Sequence, residues 1–571
     1  MKKIFYSTLF LAVLISSVSI AQDTRLLATY YGGTGNENGL TVATDAFGNV
    51  FMAGITGSLG MAAGGFQNTF GGGNVDAYLV KFNASGARLW ATYYGGSGDE
   101  MAFFGGKIGI ATDASGNVYL AGLTNSTSGI SSAGAFQETS GGGVDAYLVK
   151  FDSSGARLWA TFYGGADVDY GYDVATDAWG NAYLTGYTGS TSGIASGGFQ
   201  NTIGGLGDAY LVKFDPAGNR IWGTYYGGAG DDRGYSVTTD VSGNVYLTGA
   251  TYSTSGIASG GFQNSYGGGD FDAFLVKFDS SGSRLWATYY GGLGEEMLLF
   301  AGDVDVATDA SGNIYLAGLT NSTSAIASAG SFQETSGGGV DGFLVKFDSS
   351  GARLWATYYG GTDEDKVYSV TSDAGGDVYM AGHTLSASDI SSGGFQDTYG
   401  GNEDAFLVKF NTDGSRECAT YYGGNDFDSG EGLAIDNAGN VYTSGNTATT
   451  TGMASGGFQN FFGGGSSDAY LVKFTSCAGA TQVEDVISGS FITVYPNPTQ
   501  GEFEVKYYSG KKSLVIFELL NSIGQIILTK EKQVKQGINS LSFGTNSGDG
   551  ICFLKIICEG DIVIKKIVIA K

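Results

Sequence analysis

Asp145-Ala-Tyr-Leu-Val-Lys-Phe-Asp-Ser-Ser-Gly-Ala-Arg-Leu-Trp-Ala-Thr-Phe-Tyr-Gly-Gly165 sets two β-rich runs on either side of a tight turn, and its recurrence decides the fold. The first run, or a near variant, begins at Asp76, Asp145, Asp208, Asp272, Asp341, Asp404 and Asp468. The second, Ala-Thr-Tyr-Tyr-Gly-Gly with small variations, also comes seven times, at Ala28, Ala91, Ala160, Gly223, Ala287, Ala356 and Ala419. Its first copy precedes any copy of the first run, and the run at Asp468 has no partner after it. The chain therefore starts with the fourth strand of a unit and ends with the third. Repeats of this size stack on one another. In a closed ring the offset ends complete one composite blade and pair two otherwise open edges, whereas an open solenoid has no use for it. The expectation is an all-β chain: a seven-bladed β-propeller closed by its N-terminal strand, followed by a small C-terminal β-sandwich.

Working outward within each unit, Val-Ala-Thr-Asp followed by x-x-Gly-Asn and Val-Tyr-Leu-Ala-Gly predicts a hairpin whose Asp caps the turn. Asp45, Asp113, Asp177, Asp240, Asp309, Asp373 and Asp436 hold that place. Each turn is too short to supply the oxygens of a calcium loop. Both tight hairpins fall on one face. The other face receives the inter-blade loops and the long second-to-third connections, which carry Phe66, Phe136, Phe199, Phe262, Phe332, Phe395 and Phe458. Trp90, Trp159, Trp222, Trp286 and Trp355 share one strand position and predict packing between blades. Successive third-strand Asp residues lie 69, 63, 64, 69, 63 and 64 residues apart, the mark of a duplicated three-blade block.

These residues resemble the SBBP-type β-propeller repeat, over about four fifths of the chain. The resemblance implies a propeller of a secreted or surface protein and carries no general biochemical activity with it. After residues 478–484, a linker, the composition changes: glycine thins out and Lys replaces Arg. Ile492-Thr-Val-Tyr-Pro-Asn-Pro-Thr-Gln-Gly501, Ile523-Gly-Gln-Ile-Ile-Leu528, Gly550-Ile-Cys-Phe-Leu-Lys555 and Lys565-Lys-Ile-Val-Ile-Ala-Lys571 follow. This segment, 485–571, resembles the C-terminal sorting domain of type IX secretion, with Tyr495, Pro496, Asn497, Pro498, Gly501 and Lys571 as its motif residues. Cys552 stands where that family usually has an aromatic residue. The resemblance implies the type IX machinery as partner, passage through the outer membrane, removal of the tail, and release or attachment at the surface.

Residues 1–21 read as a signal peptide, with Lys2 and Lys3, an apolar core and a small-residue cleavage site at Ser19-Ile20-Ala21. The expected domains are thus 1–21, a propeller over 22–477, the linker 478–484 and the sorting domain. The expected route is through the periplasm to the medium or the outer surface, with no transmembrane segment after signal removal. The chain carries 29 basic against 55 acidic side chains, a net charge of −26. That field repels nucleic acid and anionic membranes and draws cations. Of four cysteines, Cys418 and Cys477 stand near enough in the repeat pattern for a bridge to be open, while Cys552 and Cys558 are too distant to bridge on one extended strand.

Catalysis has little to work with. His383 is the only histidine and falls at a strand end, expected in solvent, which removes His-based triads. Acids recur in every inter-blade loop and predict an acidic ring, with Asp99, Glu100, Glu295 and Glu296 as cation-binding candidates. No cofactor is expected, with calcium the one candidate; no catalytic or dedicated metal residue stands out. The loops entering blades 2 and 5 are longer than the rest and carry Met101-Ala-Phe-Phe104 and Met297-Leu-Leu-Phe300. Apolar loop tips suggest contact with a partner, which makes Met101, Phe103, Phe104, Met297, Leu299 and Phe300 the ligand-binding candidates. The expected function is non-enzymatic recognition or adhesion of an extracellular glycan or protein. A carboxylate-dependent enzyme on extracellular polysaccharide and a purely structural surface component are the alternatives.

Overall fold

The computed structural model describes residues 25–100, 107–296 and 304–475, and in the tail 492–495, 502–509, 512–521, 525–535, 537–544, 550–558 and 561–569. The chain divides into two compact units, 1–477 and 478–571. The described residues of the first unit form seven four-stranded antiparallel, blade-like sheets and no helix. Six sheets are consecutive in sequence. The seventh joins Asp428–Ile435, Val441–Thr447 and Asp468–Phe474 to Arg25–Tyr31 from the other end of the unit, in the order the offset predicts.

Within a sheet, burial follows strand position. The third strand, such as Asp145–Phe151, is buried at all seven residues because neighbouring sheets cover both of its faces. It accordingly reads as a nearly continuous apolar run. The fourth strand, such as Arg284–Tyr290, is exposed only at its first two residues. Its outer edge is not bare: the long connection from second to third strand runs along it. Ala63 and Ala91 exchange backbone hydrogen bonds of 2.9 Å, and Tyr93 N–H donates to Gln67. These connections, expected on one face, thus also cover the edge strand, which blocks further strand addition. The Asp-capped turns form as predicted. Asp45 Oδ1 accepts from the N–H groups of Phe47 and Asn49, and its Oδ2 from Asn49 Nδ2, while the Lys81 ammonium lies 3.6 Å from Oδ2, so the carboxylate is committed within the protein.

Three recurring devices join successive sheets, though not all three at every junction. Trp90, Trp222 and Trp286 donate Nε1–H to the turn carbonyls of Ser153, Ser280 and Ser349 in the following sheet, at 3.1 Å. An Arg at the start of each fourth strand stacks on a Phe of the preceding sheet: Arg157 on Phe66 at 4.3 Å, and so on to Arg25 on Phe395 and Arg88 on Phe458. Such a stack contributes about 0.5–2 kcal/mol. Finally, a hydroxyl closing six of the seven innermost strands donates one sheet back: Thr112 to Thr44, Thr176 to Thr112, Thr239 to Thr176, Thr308 to Thr239 and Ser372 to Thr308, while the seventh strand ends in Ile435. Thr44 in turn donates to Ile435 of the seventh sheet.

The described tail contains a three-stranded sheet, Ile492–Tyr495, Glu502–Ser509 and Gly537–Gly544, and a four-stranded sheet with the order Ile526–Val534, Ser513–Leu520, Gly550–Cys558, Asp561–Ile569. Phe503 and Phe543 of the first stack at 5.2 Å, and Phe517 of the second meets Phe543 at 5.8 Å, so the two share an apolar core.

Candidate functional site

Five sheets have innermost strands of eight residues, but in the second and fifth only four remain, Gly109–Thr112 and Asp305–Thr308. The six apolar candidates, Met101, Phe103, Phe104, Met297, Leu299 and Phe300, lie outside the described residues. Between the two shortened strands lie the third and fourth sheets, and the entry ends of their inner strands carry Tyr170, Tyr172 and Tyr235; the sixth carries Tyr368 at the matching place and the seventh Glu431.

Tyr170 and Tyr172 alternate on Asp169–Thr176, and Arg233 and Tyr235 on Asp232–Thr239. The bulge after Gly171 and Gly234 swings these residues together. Tyr172 and Tyr235 stack at 5.3 Å, Tyr170 lies 5.7 Å from Tyr187, and the Arg233 guanidinium sits 5.7 Å over Tyr187. Lys107, the first described residue after the inserted loop, places its ammonium 5.8 Å over Tyr235. Leu123, Ala250 and Phe271 complete the cluster. Arg233 is held by Asp231 at 3.3 Å. Burial, with the Asp231 charge, pushes the Tyr187 phenol up to about 12.

Below this cluster a polar cavity of about 450 Å³ runs between the innermost strands of the second to seventh sheets. Its wall carries Asp173, Ser236 and Asp305 from three successive sheets. Ser236 Oγ lies 3.2 Å from Asp173 Oδ2 and 2.6 Å from Asp305 Oδ1. Each carboxylate also accepts a backbone N–H from the next sheet, Val237 for Asp173 and Val370 for Asp305. Burial pushes Asp173 up to about 7, with the Asp305 charge adding to it. Both carboxylates therefore staple inner strands together rather than standing free on either side of a substrate.

The loop acids divide into two kinds. Asp99 is partly exposed and accepts from Asn74, and Glu295 donates its N–H to Asn321. Glu100 and Glu296 turn inward and are fully buried. So are their counterparts Glu37, Asp169, Asp232, Asp365 and Asp428, and each meets a buried third-strand Asp: Asp76 with Glu100, Asp145 with Asp169, Asp208 with Asp232, Asp272 with Glu296, Asp341 with Asp365, Asp404 with Asp428 and Asp468 with Glu37. A solvated acidic ring was the expectation for these loops. Half of it is interior, because Thr and Ser hydroxyls of the neighbouring second strand, such as Thr124 and Ser126, reach the carboxylate. Among the described residues no group of three or more His, Cys, Asp or Glu side chains could hold a metal ion. His383 is likewise buried, 2.9 Å from Glu403 and packed against Tyr368 and Phe427, not in solvent. Cys418 is disulfide-bonded.

Residues 493–570 match the model of the secretion system C-terminal sorting domain. The tail is an export signal. Type IX machinery therefore handles this chain, and its destination is the cell surface or the extracellular space. Tyr495 closes the first strand of that tail, while Pro496, Asn497, Pro498, Gly501 and Lys571 lie outside the described residues. Over 342 residues, 49% of the chain, it is 23% identical to an uncharacterized WD repeat-containing protein of Acanthamoeba polyphaga mimivirus. Over 148 residues, 26% of the chain, it is 28% identical to the regulatory protein FlaEY of Caulobacter vibrioides. The chain spans only 24% and 15% of the lengths of these relatives. Among solved structures it is similar to a Trypanosoma rangeli sialidase in complex with the inhibitor DANA (TM-score 0.36, 6% identity, 95% of this chain and 88% of that one). It is also similar to a glycoside hydrolase family 43 arabinoxylan arabinofuranohydrolase of Bacillus subtilis (TM-score 0.26, 10% identity, 94% and 96%). Likenesses this low carry no argument about activity.

Proposed function

We propose that this chain is an exported, closed seven-bladed propeller of SBBP-type repeats whose sorting domain, a small β-sandwich, delivers it to the surface or the medium, where the propeller binds an extracellular glycan or protein without turning it over. In this reading residues 1–21 are the signal, 22–477 the propeller, 478–484 the linker and 485–571 the sorting domain. The observation that carries it is the cluster of Tyr170, Tyr172, Tyr187 and Tyr235 with Lys107 and Arg233 on the third and fourth sheets, between the two shortened strands. Tyr170 and Tyr187, partly exposed beside Arg233, offer stacking and hydrogen bonding together, the chemistry of recognition surfaces, while Tyr172 and Tyr235 are themselves buried. The channel carboxylates favour this reading over the enzymatic one, since a glycosidase pair must be free to exchange a proton and attack and Asp173 and Asp305 are engaged by N–H groups on both sides. Met101, Phe103, Phe104, Met297, Leu299 and Phe300 would then flank the site, with Asp99 and Glu295 nearby as the acids for a calcium ion, since Glu100 and Glu296 are buried.

A glycan array probed with the exported protein, with and without calcium, tests this. Binding without product is expected, and binding should be lost when Phe103, Phe104, Leu299 and Phe300 become Ser at little change in melting temperature. Product formation would establish the enzymatic alternative, and silence the structural one.

A further inference from the structure

The seven buried carboxyl pairs serve no part of that recognition surface. In each, the two groups converge from opposite sides on the first glycine of a Gly-Gly pair. A Cβ at Gly95 would fall on Glu100 Oε2 and 2.6 Å from Asp76 Oδ1; at Gly291 it would meet Glu296 Oε2 and, at 2.7 Å, Asp272 Oδ1. The outward oxygens are satisfied. Asp76 Oδ2 accepts Gly71 N–H at 2.6 Å, and Glu100 Oε1 accepts the hydroxyls of Thr124 and Ser126 at 2.8 and 2.6 Å. Gly267, Thr320 and Ser322 do the same for Asp272 and Glu296. The inward oxygens, Asp76 Oδ1 and Glu100 Oε2, and likewise Asp272 Oδ1 and Glu296 Oε2, are buried, accept no well-formed hydrogen bond, and meet each other with the Gly96 or Gly292 N–H acting on the glutamate.

Two ionised carboxylates cannot face each other this way in a low-dielectric interior, because each charge is both desolvated and repelled. A single proton removes the conflict: one carboxyl donates O–H and the other accepts. A calcium ion fits poorly, since it takes roughly six to eight oxygens and the remaining oxygens here are committed to N–H and O–H donors. The charged or titratable groups facing the first pair are Asp99 and the phenols of Tyr93, Tyr94 and Tyr147. Those facing the second are the phenols of Tyr266, Tyr289, Tyr290 and Tyr358. None of these is a base that could neutralise the pair.

We propose that the two junctions built on Asp76 with Glu100 and on Asp272 with Glu296 are proton-binding sites, in which one carboxyl of each pair stays protonated at neutral pH and donates to the other, so that O–H···O bonds join the sheets there until alkali removes the protons. Burial acts in the same direction, pushing Asp76 up to about 6, Glu100 and Asp272 up to about 7 and Glu296 up to about 8. With the folded values raised, the folded chain binds more protons than the unfolded one from the ordinary carboxyl range near pH 4 up to about pH 8. Stability is therefore fullest on the acid side of that window and falls as the pH rises through it.

The test uses the full chain at about pH 6 and about pH 9, on either side of the raised values, with the melting temperature and the infrared C=O band of protonated carboxyls as readouts. The wild type should show that band at the lower pH and lose it at the higher, with a fall in melting temperature. In D76N/D272N an amide N–H replaces the donating O–H, so the band should weaken and the melting temperature should fall less between the two pH values. Absence of the band from the wild type at the lower pH would overturn the proposal whether or not the variant folds. So would a variant with the wild-type pH slope, or a calcium-induced rise in melting temperature at the higher pH that the variant lacks.

Discussion

Gly291 is glycine for want of space, not for backbone freedom. Its φ is not in the left-handed region, but a methyl there would enter the gap where Glu296 and Asp272 meet. Gly260 is the opposite case, with φ of 74° and nothing within 4 Å of its missing Cβ. The two therefore respond differently to alanine. Gly291→Ala should cost about 1–3 kcal/mol through overpacking and change the pH dependence of unfolding, because it pries a carboxyl pair apart. Gly260→Ala should cost about 1 kcal/mol at every pH. Thermal melts across the acid to alkaline range distinguish them; equal pH profiles would mean that Gly291 is only a tight turn.

At the scale of strands, the break in the Trp pattern at Cys418 has a simple cause. Each recurring Trp donates to the turn between the third and fourth strands of the next sheet, as Trp355 does to Thr412. The sheet after Cys418 has no such turn, since its third strand is Asp468–Phe474 and its fourth is Arg25–Tyr31. With no turn to cover, the Lys at this junction changes partners too, and Lys409 pairs at 2.8 Å with Asp377 and Glu417. The strand Arg25–Tyr31 itself is held on both edges, by Asp468–Phe474 on one side and by Ser455 and Gln459 on the other, and Arg25 stacks on Phe395. Deleting residues 22–33 should thus strip several hydrogen bonds and expose an edge, lowering the melting temperature clearly and promoting aggregation. An unchanged melt would show that the seventh sheet is complete without it.

For the whole molecule, the sorting tail and the repeats make separable predictions. Removing residues 478–571 should leave a folded first unit in the periplasm, while the intact chain reaches the surface or the medium; fractionation followed by protease accessibility measures this. Equal surface display of both forms would mean that the tail is not the address. The net charge of −26 is the other global property. That formal count includes the buried junction acids, which the proton-sharing reading leaves partly neutral, while loop acids such as Asp99 and Asp167 face solvent.

Seven repeats, their offset ends, the Asp-capped hairpins, the Trp contacts between sheets and the sorting tail were all legible in the order of residues. Each rests on local periodicity or on a motif at fixed spacing, which folding preserves. The burial of Glu100 and Glu296 was not legible, because an acid in a Gly-rich loop reads as solvated until the neighbouring strand brings Thr124 and Ser126, or Thr320 and Ser322, to its oxygens. The bond of His383 with Glu403 and the stacks of Arg on Phe, such as Arg157 on Phe66, were hidden for the same reason. The channel staple of Asp173, Ser236 and Asp305 joins three different repeats. Contacts between repeats depend on how one sheet rotates against the next, and that packing geometry is set by the assembled core and not by any one repeat's sequence.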